Sequence, residues 1–302
     1  MTQELQAELH QGVLVRFFGG FMSQRTRTGR STRSAARRNS VISACRPLWG
    51  MRCALRRVRA KEEGWLVEIL PRKTECIRPP VANVTLLLVS ICPSPEPDLL
   101  LVDRLLARAK KQGMKTALIV GKCDLDGGKL LAQMQEEYRG ADCPVLGVSA
   151  RNKEGLDSVR ALMRGADCCC LAGQSGVGKS TLLNALLDLQ LETGEISEKI
   201  QRGKNTTRYA QLLIHDGIRV LDTAGFSLLE TEKGMEPGKL QELYPEFQPY
   251  IGQCRFQPCL HDREPGCAVT QAVQAGEIDG NRVARYRELL ADVRLAWKNR
   301  YQ

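Results

Sequence analysis

The chain has 302 residues, enough for two or three domains with a core each. Apolar residues make up 43%, an ordinary value for a water-soluble protein, and no apolar run is long enough to cross a bilayer, which excludes a membrane-spanning reading. Thirteen Lys/Arg and no Asp or Glu lie between Gln11 and Lys61, more than the whole net charge of +10, so the remainder of the chain is net acidic.

Residues 1–78 are basic and rich in Gly and Arg, and Pro79-Pro80 marks a linker after them. The basic stretch reads either as an arm for RNA or another polyanion, or as a solvated, disordered arm. From Val84 the pattern changes. Val84–Ile91 predicts a buried strand and Leu99–Lys111 a helix; Thr116–Gly121 and Leu130–Tyr138 repeat the pair. Pro144–Ser149 and Leu156–Met163 follow, then Cys168–Gly173 and Lys179–Leu189. Strands and helices alternating at this spacing imply βαβ units, a parallel sheet and the α/β class. Tyr209–Ile214 and Ile218–Asp222 are expected to pair as a hairpin, with Asp216-Gly217 as its turn. Beyond Phe226 the chain is loop-rich, holds a Cys/His cluster and closes with helical segments up to Trp297.

Gly173-Gln174-Ser175-Gly176-Val177-Gly178-Lys179-Ser180-Thr181 matches G-x-x-x-x-G-K-[ST] between an apolar strand and an apolar-periodic helix, the context that a phosphate loop requires. Glycines let several N–H groups point at one phosphate chain, and the helix N-terminus adds partial positive charge. Lys179 is placed to bridge β- and γ-phosphates, and Ser180 to give Mg²⁺ a hydroxyl. Asp222-Thr223-Ala224-Gly225 ends a strand some 45 residues on. Asp222 there can hold the water shell of Mg²⁺, and the Gly225 N–H can meet the γ-phosphate. Between them lies Gly203-Lys204-Asn205-Thr206-Thr207-Arg208, in which Thr207, or Thr206 as second choice, can reach Mg²⁺ only when the γ-phosphate is present.

No guanine-binding box follows the phosphate loop. Before it, after the strand Thr116–Gly121, stands Gly121-Lys122-Cys123-Asp124-Leu125, and Val148-Ser149-Ala150-Arg151 follows the next strand. Lys122 and Asp124 are the expected base-binding side chains, and Ser149 and Ala150 the expected backbone contacts to the guanine oxygen. In this order the motifs describe a circularly permuted GTPase, which is feasible because domain termini often lie close together.

The twelve Cys residues are scattered, and Cys168, Cys169 and Cys170 are adjacent, which is not the framework of a small secreted domain. The N-terminus carries Glu4 and Glu8 and lacks a signal pattern, so a cytoplasmic location is expected. Cys254, Cys259, His261 and Cys267 give three thiolates and an imidazole within fourteen residues, a set suited to one structural Zn²⁺ per chain.

Together these elements resemble the ribosome small-subunit-dependent GTPase A (RsgA) family from about Gly64 to Gln302. The residues that carry the likeness are Ile69–Lys73, Ile77–Val84, Gly173–Leu186, the Asn-Thr-Thr-Arg switch, Asp222–Phe226 and Cys254–Val269. The resemblance implies an N-terminal OB-like β-barrel over 1–78, a circularly permuted P-loop GTPase domain over 79–228 and a C-terminal zinc-binding helical domain over 229–302. It also implies a monomer that binds GTP and GDP with Mg²⁺, docks on the 30S subunit and its 16S rRNA, and acts in late 30S maturation. Two other readings stand beside it: an rRNA-binding scaffold with negligible turnover, and a permuted GTPase of the large subunit, against which the Cys/His cluster speaks. Three positions depart from expectation. Gly121 replaces the Asn of the guanine box, Asn205 replaces the family's usual His, and Phe226 stands where Ras-like GTPases have Gln, a departure that the family shares.

The family's barrel carries Val-Gly-Asp-x-Val where this chain has Leu48-Trp49-Gly50-Met51-Arg52-Cys53. Trp and Met have single codons, which fixes part of the DNA as TGG GGN ATG. Read one base earlier, with permitted choices of the free bases, it spells Val-Gly-Asp-Ala-Val-Arg. Residues 22–61 are therefore expected to be out of frame, which leaves open whether the barrel is intact or disrupted; a genuine basic RNA-binding arm is the rival reading.

Overall fold

The computed structural model describes residues 9–18, 21–26, 31–35, 52–57, 63–76, 81–188, 210–223 and 235–300. The chain divides into two compact units. One comprises Met1–Thr85, Met163–Cys170 and Ile196–Gly225; the other comprises Leu86–Leu162, Leu171–Glu195 and Phe226–Gln302.

In the first unit, β1 (Leu9–Phe18), β2 (Phe21–Thr26), β3 (Ser31–Ala35), β4 (Arg52–Arg57) and β5 (Glu63–Ile69) close a barrel in the order β1-β2-β3-β5-β4. β1 runs antiparallel to β2 and β4, and β3 runs parallel to β5. Register shifts at Leu14/Arg16 and Ala54/Leu55 bend the strands, which helps so short a sheet to curl. Two short strands follow, β6 (Glu75–Cys76) and β7 (Val81–Ala82). Thr74 Oγ1 donates to the Val84 carbonyl at 2.7 Å, and Asn83 Oδ1 accepts from the Lys73 N–H at 2.8 Å.

One six-stranded sheet takes the order β10-β9-β8-β11-β13-β12. Its strands are β8 (Leu86–Ile91), β9 (Lys115–Val120), β10 (Val145–Gly147), β11 (Cys169–Ala172), β12 (Ala210–His215) and β13 (Ile218–Thr223). β9 lies parallel to β8 and β10, and β11 parallel to β13; β12 is antiparallel to β13. The expected hairpin forms. Asp216 and Gly217 both take positive φ, 44° and 75°, the primed turn whose twist suits a two-residue connection. All six residues of β8 are buried, as in strands covered on both faces, which is why they read as an unbroken apolar run.

The helices α1 (Leu99–Lys111), α2 (Lys129–Glu137), α3 (Leu156–Arg164) and α4 (Lys179–Leu187) alternate with the strands as expected. Asp98 caps α1 by accepting the Leu101 N–H at 2.8 Å. Arg160 donates to the carbonyls of Ala185 and Leu186 at 2.7 and 2.9 Å, satisfying acceptors that the end of α4 leaves open. Ligand-binding crevices of such sheets lie at the carboxyl ends of the strands, where the loops after β8, β9, β10 and β11 are found.

Residues 237–250 fold as three short 3-10 turns, the first and third opened by Pro237 and Pro245, followed by α5 (Ala268–Gln274) and α6 (Gly280–Lys298). The Tyr244, Phe247 and Tyr286 rings pack face and edge, with centroids 4.8–5.1 Å apart. A buried ionic cluster joins this segment to α1 and α2. Asp103, 1% exposed, accepts from Arg282 and from Arg285 Nε at 2.6 Å, and from Tyr138 Oη at 2.7 Å. Arg282 also pairs with Glu246 at 2.6 Å, and Arg285 with Glu137. Breaking one partner of such a cluster typically costs about 3–5 kcal/mol, because the others stay buried and uncompensated.

Candidate functional site

Gly173 leaves β11 at φ 136°, and an added Cβ there would lie 2.2 Å from the Ser90 carbonyl oxygen, so only glycine fits. Gly176 and Gly178 also take positive φ, 83° and 90°, and the loop curls into the N-terminus of α4. Val177 is buried, 3% exposed, and pins the loop to the core. Ser175, Gly176 and Thr181 are exposed, and Gln174, Gly178, Lys179 and Ser180 are half-buried. Lys179 Nζ donates to the carbonyls of Gly173 and Gln174 at 2.9 and 2.8 Å, which holds the ammonium across the mouth of the loop. The geometry can seat a phosphate chain on backbone N–H groups with a cation beside it.

The loop after β9 meets this loop in space although it precedes it in sequence. Lys122 Nζ donates to the Ser94 carbonyl at 2.8 Å and to the Gly176 carbonyl of the phosphate loop at 3.4 Å. The Lys122 stem would lie 3.7 Å from a Cβ placed on Gly178. The Cys123 N–H donates to the Val148 carbonyl at 3.2 Å, joining the loop after β9 to the one after β10. Ser149 is buried, its Oγ accepts the Asn152 N–H at 3.1 Å, and Ala150 is half-buried beside it. Asp124 is exposed at the rim, next to Leu125, which is 58% exposed. Burial raises the Cys123 thiol above its usual range, assisted by the nearby charges of Asp126, Asp124 and Glu154. This thiol is neutral at neutral pH.

Asp222 stands next to last in β13, paired with Gln211. Thr206, Thr207, Asn205, Gly225 and Phe226 lie outside the described residues. A contact not legible in the sequence comes from the loop after β8: the Asp98 N–H donates to Gln174 Oε1 at 3.3 Å, tying the cap of α1 to the phosphate loop. The prolines of Cys92-Pro93-Ser94-Pro95-Glu96-Pro97 mark that loop, but nothing in them names its partner.

At the far end of the chain, Cys254, Cys259, His261 and Cys267 converge, with one ligand atom from each lying within 4.8 Å of the others. All four are buried. His261 Nδ1 is 3.6 Å from the sulfurs of Cys254 and Cys259 and 3.4 Å from that of Cys267. Tetrahedral metal–sulfur and metal–nitrogen bonds of about 2.3 and 2.0 Å require N-to-S edges of about 3.5 Å, so this donor set fits a tetrahedral ion. Burial lowers the His261 pKa, which favours the neutral, ligating ring. Burial raises that of Cys259, a cost that a cation would offset. Glu264 clasps the N–H groups of Leu260 and Asp262 at 3.0 and 2.8 Å, shaping the turn at His261, where φ is 59°. Burial pushes the Glu264 carboxyl up, but these donated N–H groups outweigh it and hold the group below its usual range.

The sequence pattern of the RsgA GTPase family matches residues 69–232. A protein of Geobacillus thermodenitrificans named small ribosomal subunit biogenesis GTPase RsgA is 43% identical over 237 residues, 77% of this chain and 80% of its own length. One of the same name from Caldanaerobacter subterraneus is 36% identical over 298 residues, 97% of this chain and 98% of its own. Among solved structures, YjeQ from Thermotoga maritima superposes with a TM-score of 0.79 at 28% identity, covering 95% of this chain and 99% of that one. YloQ, described as a circularly permuted GTPase, superposes at 0.78 with 27% identity, covering 97% and 98%. A loop after β9 that precedes the Gly-rich loop in sequence and touches it in space is compatible with such a permutation. The chain belongs to the RsgA GTPase family.

Proposed function

We propose that this GTPase acts in late maturation of the small ribosomal subunit, docking on the 30S particle and its 16S rRNA with GTP bound and leaving after hydrolysis. The observation that carries the reading is the likeness, across 97% of the chain, to a protein named for small-subunit biogenesis. In this assignment the N–H groups of residues 173–181 cradle the phosphates and Lys179 bridges the β- and γ-phosphates. Ser180 and Thr207 hold Mg²⁺, Asp222 orders its water shell, and the Gly225 N–H meets the γ-phosphate. Phosphoryl transfer then rests on positioning and charge stabilisation. Lys122 and Asp124 hold the base, with Ser149 and Ala150 at the guanine oxygen. The Cys254, Cys259, His261 and Cys267 set holds one structural Zn²⁺. The organisation is a barrel domain over 1–78, the GTPase domain over 79–228 and the zinc domain over 229–302, in a cytoplasmic monomer. Among the described residues, no helix is long and apolar enough to cross a membrane.

Asn205 and Phe226 leave the free protein poorly equipped to orient the attacking water. Single-turnover hydrolysis is therefore expected to be slow alone and strongly accelerated by 30S particles. Equal rates with and without 30S would mean that the site is complete by itself. Negligible turnover in both conditions would instead favour the scaffold reading, and stimulation by 50S alone the large-subunit one.

The base site supplies a second test. Gly121 lacks the two side-chain contacts of the usual Asn, while its N–H donates to the Ile91 carbonyl at 2.8 Å. A Cβ at 121 would sit 3.5 Å from that oxygen, an ordinary contact, so the backbone accepts a side chain there. Gly121→Asn is expected to tighten GDP and GTP roughly two- to tenfold, the worth of about one net hydrogen bond, and to keep the preference for guanine. Asp124→Ala is expected to erase that preference. Titration of labelled GDP, GTP and ATP checks both; retained selectivity in Asp124→Ala would place the base elsewhere.

The out-of-frame origin of residues 22–61 is proposed on the recoverable Val-Gly-Asp-Ala-Val-Arg. An uninterrupted frame on independently sequenced DNA across codons 20–62, with matching peptides from the expressed protein, overturns it in favour of a genuine basic arm.

A further inference from the structure

His261 can bind a metal through Nδ1 only if its proton sits on Nε2, and a free imidazole does not fix that choice. In this fold Nε2 lies 2.7 Å from Gln241 Oε1. The other end of the same amide is engaged: Gln241 Nε2 donates to the Gly238 carbonyl at 3.0 Å. Flipping the amide would set its oxygen against that carbonyl and its NH₂ against the imidazole. The carbonyl of Gly238 therefore dictates the direction of the amide, and the amide dictates the tautomer. The imidazole, 1% exposed, is also packed edge-on to Phe247, with ring centroids 5.7 Å apart at 80°.

We infer that Gln241 is a positioning residue of the metal site: it holds the His261 proton on Nε2 and aims Nδ1 at the three thiolates. The inference rests on the zinc reading above. It gives a task to a residue outside the Cys/His motif; Gln241 stands sixteen residues beyond Gly225, the expected γ-phosphate contact. Ligating histidines commonly donate their second N–H to a carboxylate or carbonyl, and losing that partner weakens metal binding by about 10–100-fold.

The experiment uses the full chain, loaded with zinc, and measures release to a coloured chelator, 4-(2-pyridylazo)resorcinol. The parent is compared with Gln241→Leu and Gln241→Glu. The Leu variant keeps the bulk and loses the acceptor; the Glu variant keeps the acceptor and strengthens it. Gln241→Leu is expected to lose about 10–100-fold in zinc affinity, and Gln241→Glu, which keeps the acceptor but gives up the hydrogen bond to the Gly238 carbonyl, to hold zinc more tightly than Gln241→Leu. Cobalt(II) substitution gives a readout that a merely structural role would not move: the visible bands should shift in the Leu variant and persist in the Glu variant. Parental affinity and spectrum in Gln241→Leu overturn the role of Gln241, as does equal weakening in both variants. If Gln241→Leu does not fold, Gln241→Glu decides alone, with zinc retention supporting the role and zinc loss overturning it. A parent that binds no zinc overturns the zinc reading itself, a result distinct from the others.

Discussion

Lys179→Ala is expected to abolish measurable GTP hydrolysis and to weaken GDP and GTP binding about 10–100-fold. The ammonium sits across the phosphate loop, within 2.9 Å of the Gly173 and Gln174 carbonyls. Those contacts pre-place it, so that little ordering remains to be done when phosphate oxygens take their place. Charge-assisted hydrogen bonds of this kind are worth about 1.5–3 kcal/mol each, which sets the expected loss in affinity. The loss in rate should be larger, because negative charge on the transferring group shifts most in the transition state. Removing one such preorganised donor typically costs about 10²–10³ in turnover. The fold should survive: Lys179 is only half-buried, and Val177 and the α4 leucines that anchor the loop are untouched. The check is single-turnover hydrolysis with 30S present, on a variant whose melting curve and metal content match the parent. Normal turnover at saturating GTP in that folded variant would show that the phosphates lie elsewhere.

Much of this architecture is legible in the sequence because its causes are local. Leu99–Lys111 is a helix over the expected residues, and Asp216-Gly217 forms its turn because only residues tolerant of positive φ fit there. The phosphate loop is equally local: Gly173 is fixed by one oxygen, that of Ser90. The Asp103 cluster is not legible. Arg282 lies 179 residues from Asp103, and both read as ordinary charges on a solvated helix face until the fold buries them against each other. Gln241 is hidden for the same reason. It meets His261 across 20 residues, from a three-residue turn with no periodicity to flag it. The barrel strands were expected from a family likeness rather than from any alternation in the basic stretch. Thr207 and Gly225 are assigned by their spacing from the phosphate loop.

Cys259→Ser is expected to strip the metal from the chain and to make residues from about 235 onward sensitive to protease, while GTP still binds. Three observations set the size of the effect. The four ligand side chains are buried, so the metal-free form leaves thiols and an imidazole facing one another without the charge that makes the arrangement favourable. The core around them is local: Tyr244, Phe247 and Tyr286, with α5 and α6, pack about the cluster, and the turns at 237–250 are held by hydrogen bonds between residues only three or four apart. Zinc in comparable small modules supplies about 10–16 kcal/mol of apparent binding energy, which is also folding energy. Serine replaces a thiolate by a hydroxyl that stays protonated and binds zinc weakly. The α6 end should resist longest, because Arg282 and Arg285 remain fastened to Asp103, Glu137 and Glu246. Cleavage is therefore expected first in the ligand loop, Cys254 to Cys267, and only later in α6. Elemental analysis of protein purified without chelator, followed by timed proteolysis and mass spectrometry of the fragments, reads out both parts. One zinc per parent chain and none in the variant, with early cuts confined to the loop, is the expected pattern. A parent without zinc, or a variant as resistant as the parent, would mean that the aromatic core and the ionic cluster hold this segment without a metal.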